Sequence, residues 1–439
     1  MYLLYTLLYS AVVFFILPFQ YLKRPKELRK RWLREKFGFI DPSVSHLTKG
    51  RIEGGYGSES THTEGIIWVH AVSVGEVMAA IPLLKKIIEK YPSKGIMLST
   101  ITDTGQKIAM ERVPEGTMVF YLPFDIPIIL KRVFKRKKPE LLITIETELW
   151  PNLLRVSMQY GIPVILLNGR ISEKSFKGYK KVSFFVQGVL SNVALFCMQS
   201  ETYAERISNI GVDKRKIKVL GNFKFDIKPP SEIPEWSERM KGPVLIGGST
   251  HEGEEEFLLS VYMKLKKDFL DLNLILAPRH PERFKNVEDL LRSKGLYFIK
   301  RSAFITSNPP SPPLVKRGEG GIIILLDTVG ELSAVYGISD IAIIGKSFKG
   351  HGGQNPLEPA YWGKPIVCGP HMENFPFIKD FFREGAALEV NEDGLYSKLR
   401  ELLLSPEKAK NIGLKSQQLY KKNTGAVERA MEVIAGYIN

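Results

Sequence analysis

Short apolar runs, each followed by an amphipathic segment, recur along this chain in two series, and that alternation constrains the fold more than any other feature. The first series comprises 66–72, 96–100, 118–122, 141–146, 163–167, 194–199 and 217–220. The second comprises 243–248, 273–277, 322–326, 340–344, 365–368 and 386–390. Val77, Ile81, Leu84 and Ile88 follow the first run at spacings of four, three and four, one face of a helix. Repeated strand–helix alternation predicts parallel sheets covered on both faces. The 439 residues exceed what one core organises, and a proline-rich stretch, 229–243, separates the two series. The expected fold class is therefore α/β, with two Rossmann-like parallel-sheet domains facing a cleft, where ligands meet the carboxyl ends of the strands. Cys197 and Cys368 each fall inside an apolar run, which predicts buried free thiols.

Residues 1–22 carry no charged side chain, and about 20 apolar residues suffice to cross a bilayer as a helix. The basic residues Lys23, Arg24, Lys26, Arg29, Lys30, Arg31, Arg34 and Lys36 come after this segment. That order is the reverse of a cleavable signal peptide. Basic flanks stay inside, so the expectation is a single-pass anchor with the rest of the chain cytoplasmic. As an anchor, it is expected to supply apolar surface to the bilayer and no group to the reactive cleft. The net charge of +15 asks for an anionic partner. The run 131–139, with six basic residues, reads either as a solvated helix end or as a contact for an anionic membrane surface. No recognition motif or basic–aromatic stripe supports nucleic acid.

Three strand ends in the first half carry candidate chemistry. Ser73-Val74-Gly75-Glu76 follows a strand and opens a helix, so Glu76 reads either as an acid complementing the helix dipole or as a general base. Glu146 ends the 141–146 run, with Glu148 as a first-turn acid beyond it, and Lys224 lies at a third strand end. In the second half, Arg279 and His280 end a strand, Asp327-Thr328-Val329-Gly330-Glu331 opens a helix, and 352–360 is a glycine-rich turn into another. Backbone N–H groups at helix starts bind phosphate, Arg279 can pair with it, and Glu358 suits ribose hydroxyls. No G-x-G-x-x-G follows a strand, which argues against a dinucleotide cofactor. Gly345-Lys346-Ser347 resembles the end of a phosphate-binding loop but lacks its earlier glycine. The segments 41–64 and 306–321 read as polar insertions that contribute no core.

Taken together, these motifs resemble the Kdo transferases (3-deoxy-D-manno-octulosonic acid transferases, glycosyltransferase family 30) of lipid A and lipopolysaccharide assembly. The similarity runs in order through HAVSVGE (70–76), STITDTG (99–105), ETELWPN (146–152), LNGRISEKSFKGY (167–179), QSE (199–201) and GNFKFD (221–226). It continues through STHEGEE (249–255), APRHPERF (277–284), DTVGEL (327–332), GGQNPLEPAYWGKP (352–365) and GPHMENF (369–375). Two positions depart from the family pattern: Gln354 stands where the family has His, and Lys346 where it has a second Gly.

The resemblance implies a GT-B fold and a metal-independent, inverting transfer of Kdo from CMP-Kdo to a lipid A precursor. It implies Glu76 as catalytic base, with Glu146 and Lys224 supporting the transition state. Pro278, Arg279, Val329, Gly330, Glu331, Asn355, Pro356, Leu357 and Glu358 match the CMP-binding segments; no cofactor or bound metal is implied. The expected organisation is an anchor helix (1–22), a basic juxtamembrane segment with an insertion (23–65), an acceptor domain (66–228) and a linker (229–242). A CMP-sugar domain (243–425, with the inserted loop 306–321) and a C-terminal helix (426–439) complete it. The expected location is the inner membrane, facing the cytoplasm. Two rival readings are a GT-B transferase using another nucleotide sugar and a non-catalytic membrane-tethered binding protein.

Overall fold

The computed structural model describes residues 1–41, 65–230, 232–305 and 320–438. Most of both expected insertions, 42–64 and 306–319, lies outside the described residues. The chain forms two compact units, Met1–Ile227 with Thr424–Asn439 and Lys228–Asn423.

In the first unit, seven parallel strands form one sheet: β1 (Ile66–His70), β2 (Gly95–Thr100), β3 (Met118–Tyr121), β4 (Pro139–Ile145), β5 (Val164–Gly169), β6 (Leu195–Met198) and β7 (Ile217–Val219). Their order is β3-β2-β1-β4-β5-β6-β7. Chain direction across the sheet reverses between β1 and β4, and ligands bind beyond the strand ends at such a switch point. Glu76 and Glu146 follow those two strands. The helix after β1, Val74–Lys90, buries Val77, Ala80, Leu83, Leu84 and Ile87, while Ile81 and Ile88 pack at its margin. Its core stripe is thus rotated by part of a turn from the four residues that the spacing selects.

In the second unit the strands are β8 (Val244–Thr250), β9 (Asn273–Pro278), β10 (Phe298–Lys300), β11 (Ile323–Leu325), β12 (Ile341–Ile344), β13 (Ile366–Cys368) and β14 (Ala387–Glu389). They form a second all-parallel sheet in the order β10-β11-β9-β8-β12-β13-β14. β10 is a three-residue, half-buried edge strand, too short and too polar in its flanks to register as an apolar run. Both cysteines are free and buried, in β6 and β13. The proline-rich stretch is packed in part: Trp236 is buried in the core of the second unit.

The chain returns to the first unit at its C-terminus. The helix Ala426–Ala435 buries Ala426, Val427, Ala430, Met431 and Ile434 in the same cluster as Phe223 and the Val74–Lys90 helix. Among the described residues one helix, α1 (Tyr2–Lys23), is long and apolar enough to cross a membrane. One face of it is docked on the first unit. The Tyr5 hydroxyl donates to Asp125 Oδ2 (2.8 Å), the Tyr2 hydroxyl donates to Gly188 O (2.8 Å), and Tyr9, Val13, Leu17 and Tyr21 pack on Trp32, Tyr121 and Phe124. On the other face Leu3, Leu7, Phe14, Phe15 and Phe19 are 59–78% exposed.

Candidate active site

The first unit brings its predicted residues into one charged cluster. Glu76 is the third residue of the helix that Ser73 caps, and its carboxylate folds back on that turn. Val72 N–H donates to Oε2 (2.7 Å) and the Ser73 hydroxyl donates to Oε1 (2.9 Å). This reach is a variant of the capping box, so the structural and chemical readings of Glu76 coexist in one side chain. Burial, reinforced by the charge of Glu146, pushes its carboxyl up to about 7. Glu146 follows β4 at φ +60°, a left-handed conformation that costs a non-glycine residue about 1–3 kcal/mol and marks functional sites. Its carboxylate pairs with Arg170 at 3.3 Å.

Glu148 is also raised to about 7, first by burial and then by Glu76 and Glu146, and it accepts a hydrogen bond from Trp150 Nε1 (3.2 Å). Lys224 sits in the turn Phe223–Asp226 after β7, and burial pulls its ammonium below the usual range, with Glu146 opposing. Three carboxylates and two cations therefore act on one another beyond the ends of β1, β4, β5 and β7. Arg170 was not assigned a role from the sequence. Its signal is the same as that of the others, a charged residue immediately beyond a strand, here β5.

The turn that carries Lys224 is held from three sides. Asn222 Oδ1 accepts from Lys224 N (3.0 Å), and Asn168 Oδ1 accepts from Phe223 N (3.0 Å). Asp226 receives Gly425 N (2.6 Å) and Val427 N (2.7 Å), so its carboxylate caps the C-terminal helix. Asp226→Ala is expected to cost about 1–2 kcal/mol, the worth of a good cap. It should lower the melting temperature and reduce turnover together, because the helix and the Lys224 turn share this anchor. Thermal denaturation and a rate assay on the same sample check the coupling.

In the second unit, Pro278 ends β9, and Arg279 is exposed just beyond it, its backbone N–H donating to Thr250 O (3.0 Å). Asn355 Oδ1 accepts from Leu357 N (3.1 Å) and its Nδ2 donates to Glu358 Oε1 (3.2 Å). Burial raises the Glu358 carboxyl, and Asn355 and Arg279 oppose that shift. Pro356 precedes the short helix Leu357–Tyr361. These groups lie near one another. In the Val329-Gly330-Glu331 segment, Val329 is exposed and Gly330 takes φ +97°. The Glu331 carboxylate is already engaged by Arg301 through two hydrogen bonds (2.7 and 2.9 Å).

The Gly345-Lys346-Ser347 turn is an anion nest already filled from within. The buried Glu254 carboxylate accepts from Lys346 N (2.6 Å), Ser347 N (3.1 Å) and Phe348 N (3.1 Å). Lys346 takes φ +57°, which explains the glycine in the family pattern. Lys346→Gly is expected to stabilise the chain by up to about 1 kcal/mol through relief of that strain, read as a rise in melting temperature. Gln354, the other departure, meets His251 Nε2 through its side-chain nitrogen at 3.1 Å. One group that the sequence did not mark brings three potential metal ligands within 4.8 Å of one another: His351, His371 and Glu373. It lies in the second unit, and the carboxylate cluster belongs to the first.

Two Rossmann-like parallel sheets in one chain, with charged groups gathered at strand ends in each, define a GT-B-type protein. Similar solved structures bear out the fold. A UDP-N-acetylglucosamine 2-epimerase aligns with a TM-score of 0.56 at 10% identity, over 85% of this chain and 97% of its own. MurG of Acinetobacter baumannii aligns with 0.52 at 12% identity, over 84% and 99%. The family model for 3-deoxy-D-manno-octulosonic-acid transferase matches residues 31–227. The 3-deoxy-D-manno-octulosonic acid transferase of Haemophilus influenzae is 35% identical over 88% of this chain and 90% of its own length. That of Chlamydophila psittaci is 28% identical over 99% and 97%. The chain belongs to the Kdo transferase family of lipopolysaccharide biosynthesis.

Proposed function

We propose that this protein transfers Kdo from CMP-Kdo to a phosphorylated lipid A precursor, with inversion at the anomeric carbon and without a metal ion. The observation that carries the reading is the Glu76 carboxylate, buried beyond β1 at the switch point, with its carboxyl raised to about 7. A base is most effective when its pKa lies near the working pH. Glu76 takes the proton of the acceptor hydroxyl as that oxygen attacks the anomeric carbon, and the bond to the CMP phosphate breaks on the opposite face. Arg170 and Lys224 hold positive charge where the sugar carboxylate and developing charge are bound, and Glu146 orients Arg170.

The donor half of the reaction belongs to the second unit. Arg279 meets the phosphate of CMP, Glu358 and Asn355 receive the ribose, and Pro278, Val329, Gly330, Pro356 and Leu357 shape the walls. Because Glu331 is tied to Arg301, its part is to fix the Val329–Gly330 turn rather than to touch the nucleotide directly. The leaving phosphate monoester is stable as an anion, so fixed donors suffice to draw it off. The protein works at the inner membrane, held by α1, with its two units on the cytoplasmic side.

Mass spectrometry of the products formed from CMP-Kdo and a lipid A precursor tests this reading. One or more added Kdo masses are expected, and no addition with CMP-Kdo but transfer from a UDP-sugar would overturn it. Activity is expected to survive exhaustive chelation. A loss restored by magnesium or manganese would contradict the metal-independent step.

A further inference from the structure

A cavity of about 450 Å³ opens in the first unit beside Glu148, within the range of about 300–1,000 Å³ usual for ligand pockets. Its walls come from α1, from Leu149–Pro151, and from the helix Ser183–Leu190 with the residues before it. Tyr5, Leu149, Val182, Phe185, Val186 and Val189 give it an apolar lining. Most of the polar groups at its edge are already committed. The Tyr5 hydroxyl donates to Asp125 (2.8 Å), the Thr147 hydroxyl donates to Arg170 O, and Trp150 Nε1 donates to Glu148 (3.2 Å). Asp125 in turn is buried, accepting Asn152 N (3.0 Å) and Leu153 N (2.7 Å), so Tyr5 is fixed in the wall. A sugar or nucleotide in the depth of this cavity would lose hydration without gaining equivalent partners. A hydrocarbon chain needs none.

The surroundings say where such a chain would come from. The same α1 helix that supplies Tyr5 turns Leu3, Leu7, Phe14, Phe15 and Phe19 outward, an apolar face suited to lipid, and Phe184 on the helix opposite and Val182 just before it are exposed. At its other end the cavity reaches Glu148, whose charge acts on Glu76 and Glu146. We propose that this cavity binds one acyl chain of the lipid acceptor, so that α1 and the helix Ser183–Leu190 hold the chain while its sugar reaches the carboxylate cluster. The proposal rests on the Kdo-transfer reading, which identifies the acceptor as a lipid. α1 is then part of the acceptor site as well as the anchor.

The test uses the full-length protein in vesicles and a lipid A precursor bearing a photoreactive diazirine at the end of one acyl chain. Cross-links are expected in Leu149–Pro151 and Tyr179–Val189, and unlabelled acceptor should abolish them. Labelling confined to Leu3, Phe14, Phe15 and Phe19 would overturn the proposal. So would equal pocket labelling by a photoreactive phospholipid that the acceptor fails to displace. Val186→Trp fills the cavity and is expected to raise KM for the acylated acceptor at least tenfold, with KM for CMP-Kdo unchanged. Val182→Asp, at a half-exposed rim position that costs no core, should raise the same KM. Both variants retaining wild-type KM would refute the assignment. If the wild type transfers no Kdo, the functional reading fails, while the cross-linking still decides whether the cavity takes the chain.

Discussion

Glu76→Gln is expected to lower turnover by roughly 10²–10⁴-fold, the usual contribution of a positioned general base, in a protein that still folds. The amide keeps the length of the side chain, and one oxygen remains to accept from Val72 N or from Ser73, so the helix start is preserved in part. CMP binding should barely change, since Arg279 and Glu358 belong to the other unit. The substitution also removes a buried acid whose folded pKa is raised. Such a group contributes stability when protonated, and that contribution is lost as pH rises from about 4.5 towards about 7. The variant should therefore melt at least as high as the wild type at pH 8, and gain no such advantage at pH 4. A variant keeping more than a tenth of wild-type turnover would show that another group takes the proton.

Removal of residues 1–22 is expected to do more than release the protein from the membrane. The sequence reads this segment as an anchor that gives nothing to the reactive cleft; its docked face adds a packing role on the first unit. Without α1, Asp125 loses its hydrogen bond from Tyr5, and Trp32, Tyr121 and Phe124 lose the cover of Tyr9, Val13, Leu17 and Tyr21. A hydrogen bond to a charged group is worth about 1.5–3 kcal/mol, so a melting temperature several degrees lower is expected. Activity on acceptor in vesicles should fall by more than tenfold, because tethering no longer raises the local concentration. Activity in detergent should fall as well, with KM for the acceptor rising. Residual vesicle binding should weaken with salt, since it would depend on the basic residues of 23–36 and of 131–138, where Lys135 and Arg136 are exposed. Replacing Lys135, Arg136, Lys137 and Lys138 with Gln should remove most of that residual binding, which co-sedimentation at low and high salt would measure.

The two parallel sheets were legible because their strands are apolar runs separated by helices, a pattern set by burial on both faces. β10 was not, because an edge strand of three half-buried residues carries little of that pattern. Glu76, Glu146 and Lys224 are marked in the sequence as charges at strand ends, and the sheet order explains why the first two meet: β1 and β4 are neighbours although their starts, Ile66 and Pro139, lie 73 residues apart. Such adjacency is a long-range pairing that local spacing does not encode. Arg170 was missed because a lone arginine after an apolar run has the same local signature as a solvated one. The return of the C-terminal helix to the first unit was hidden for a similar reason: its cap, Asp226, lies 199 residues away. The filled nest at Lys346–Phe348 depends on Glu254, likewise distant in sequence, so local spacing argues against a phosphate loop there without showing what occupies the turn.

If Glu76 is the base, its titration must govern the pH dependence of kcat/KM. A base acts unprotonated, so the rate should fall about tenfold per pH unit below its pKa, giving an acid limb near pH 7 in the wild type. Glu148 titrates in the same range and is coupled to it, so the profile is compared in Glu148→Gln and in Glu76→Gln. The limb is expected to persist in Glu148→Gln and to disappear from the residual activity of Glu76→Gln. A limb unchanged in Glu76→Gln, or one lost only in Glu148→Gln, would contradict that role of Glu76.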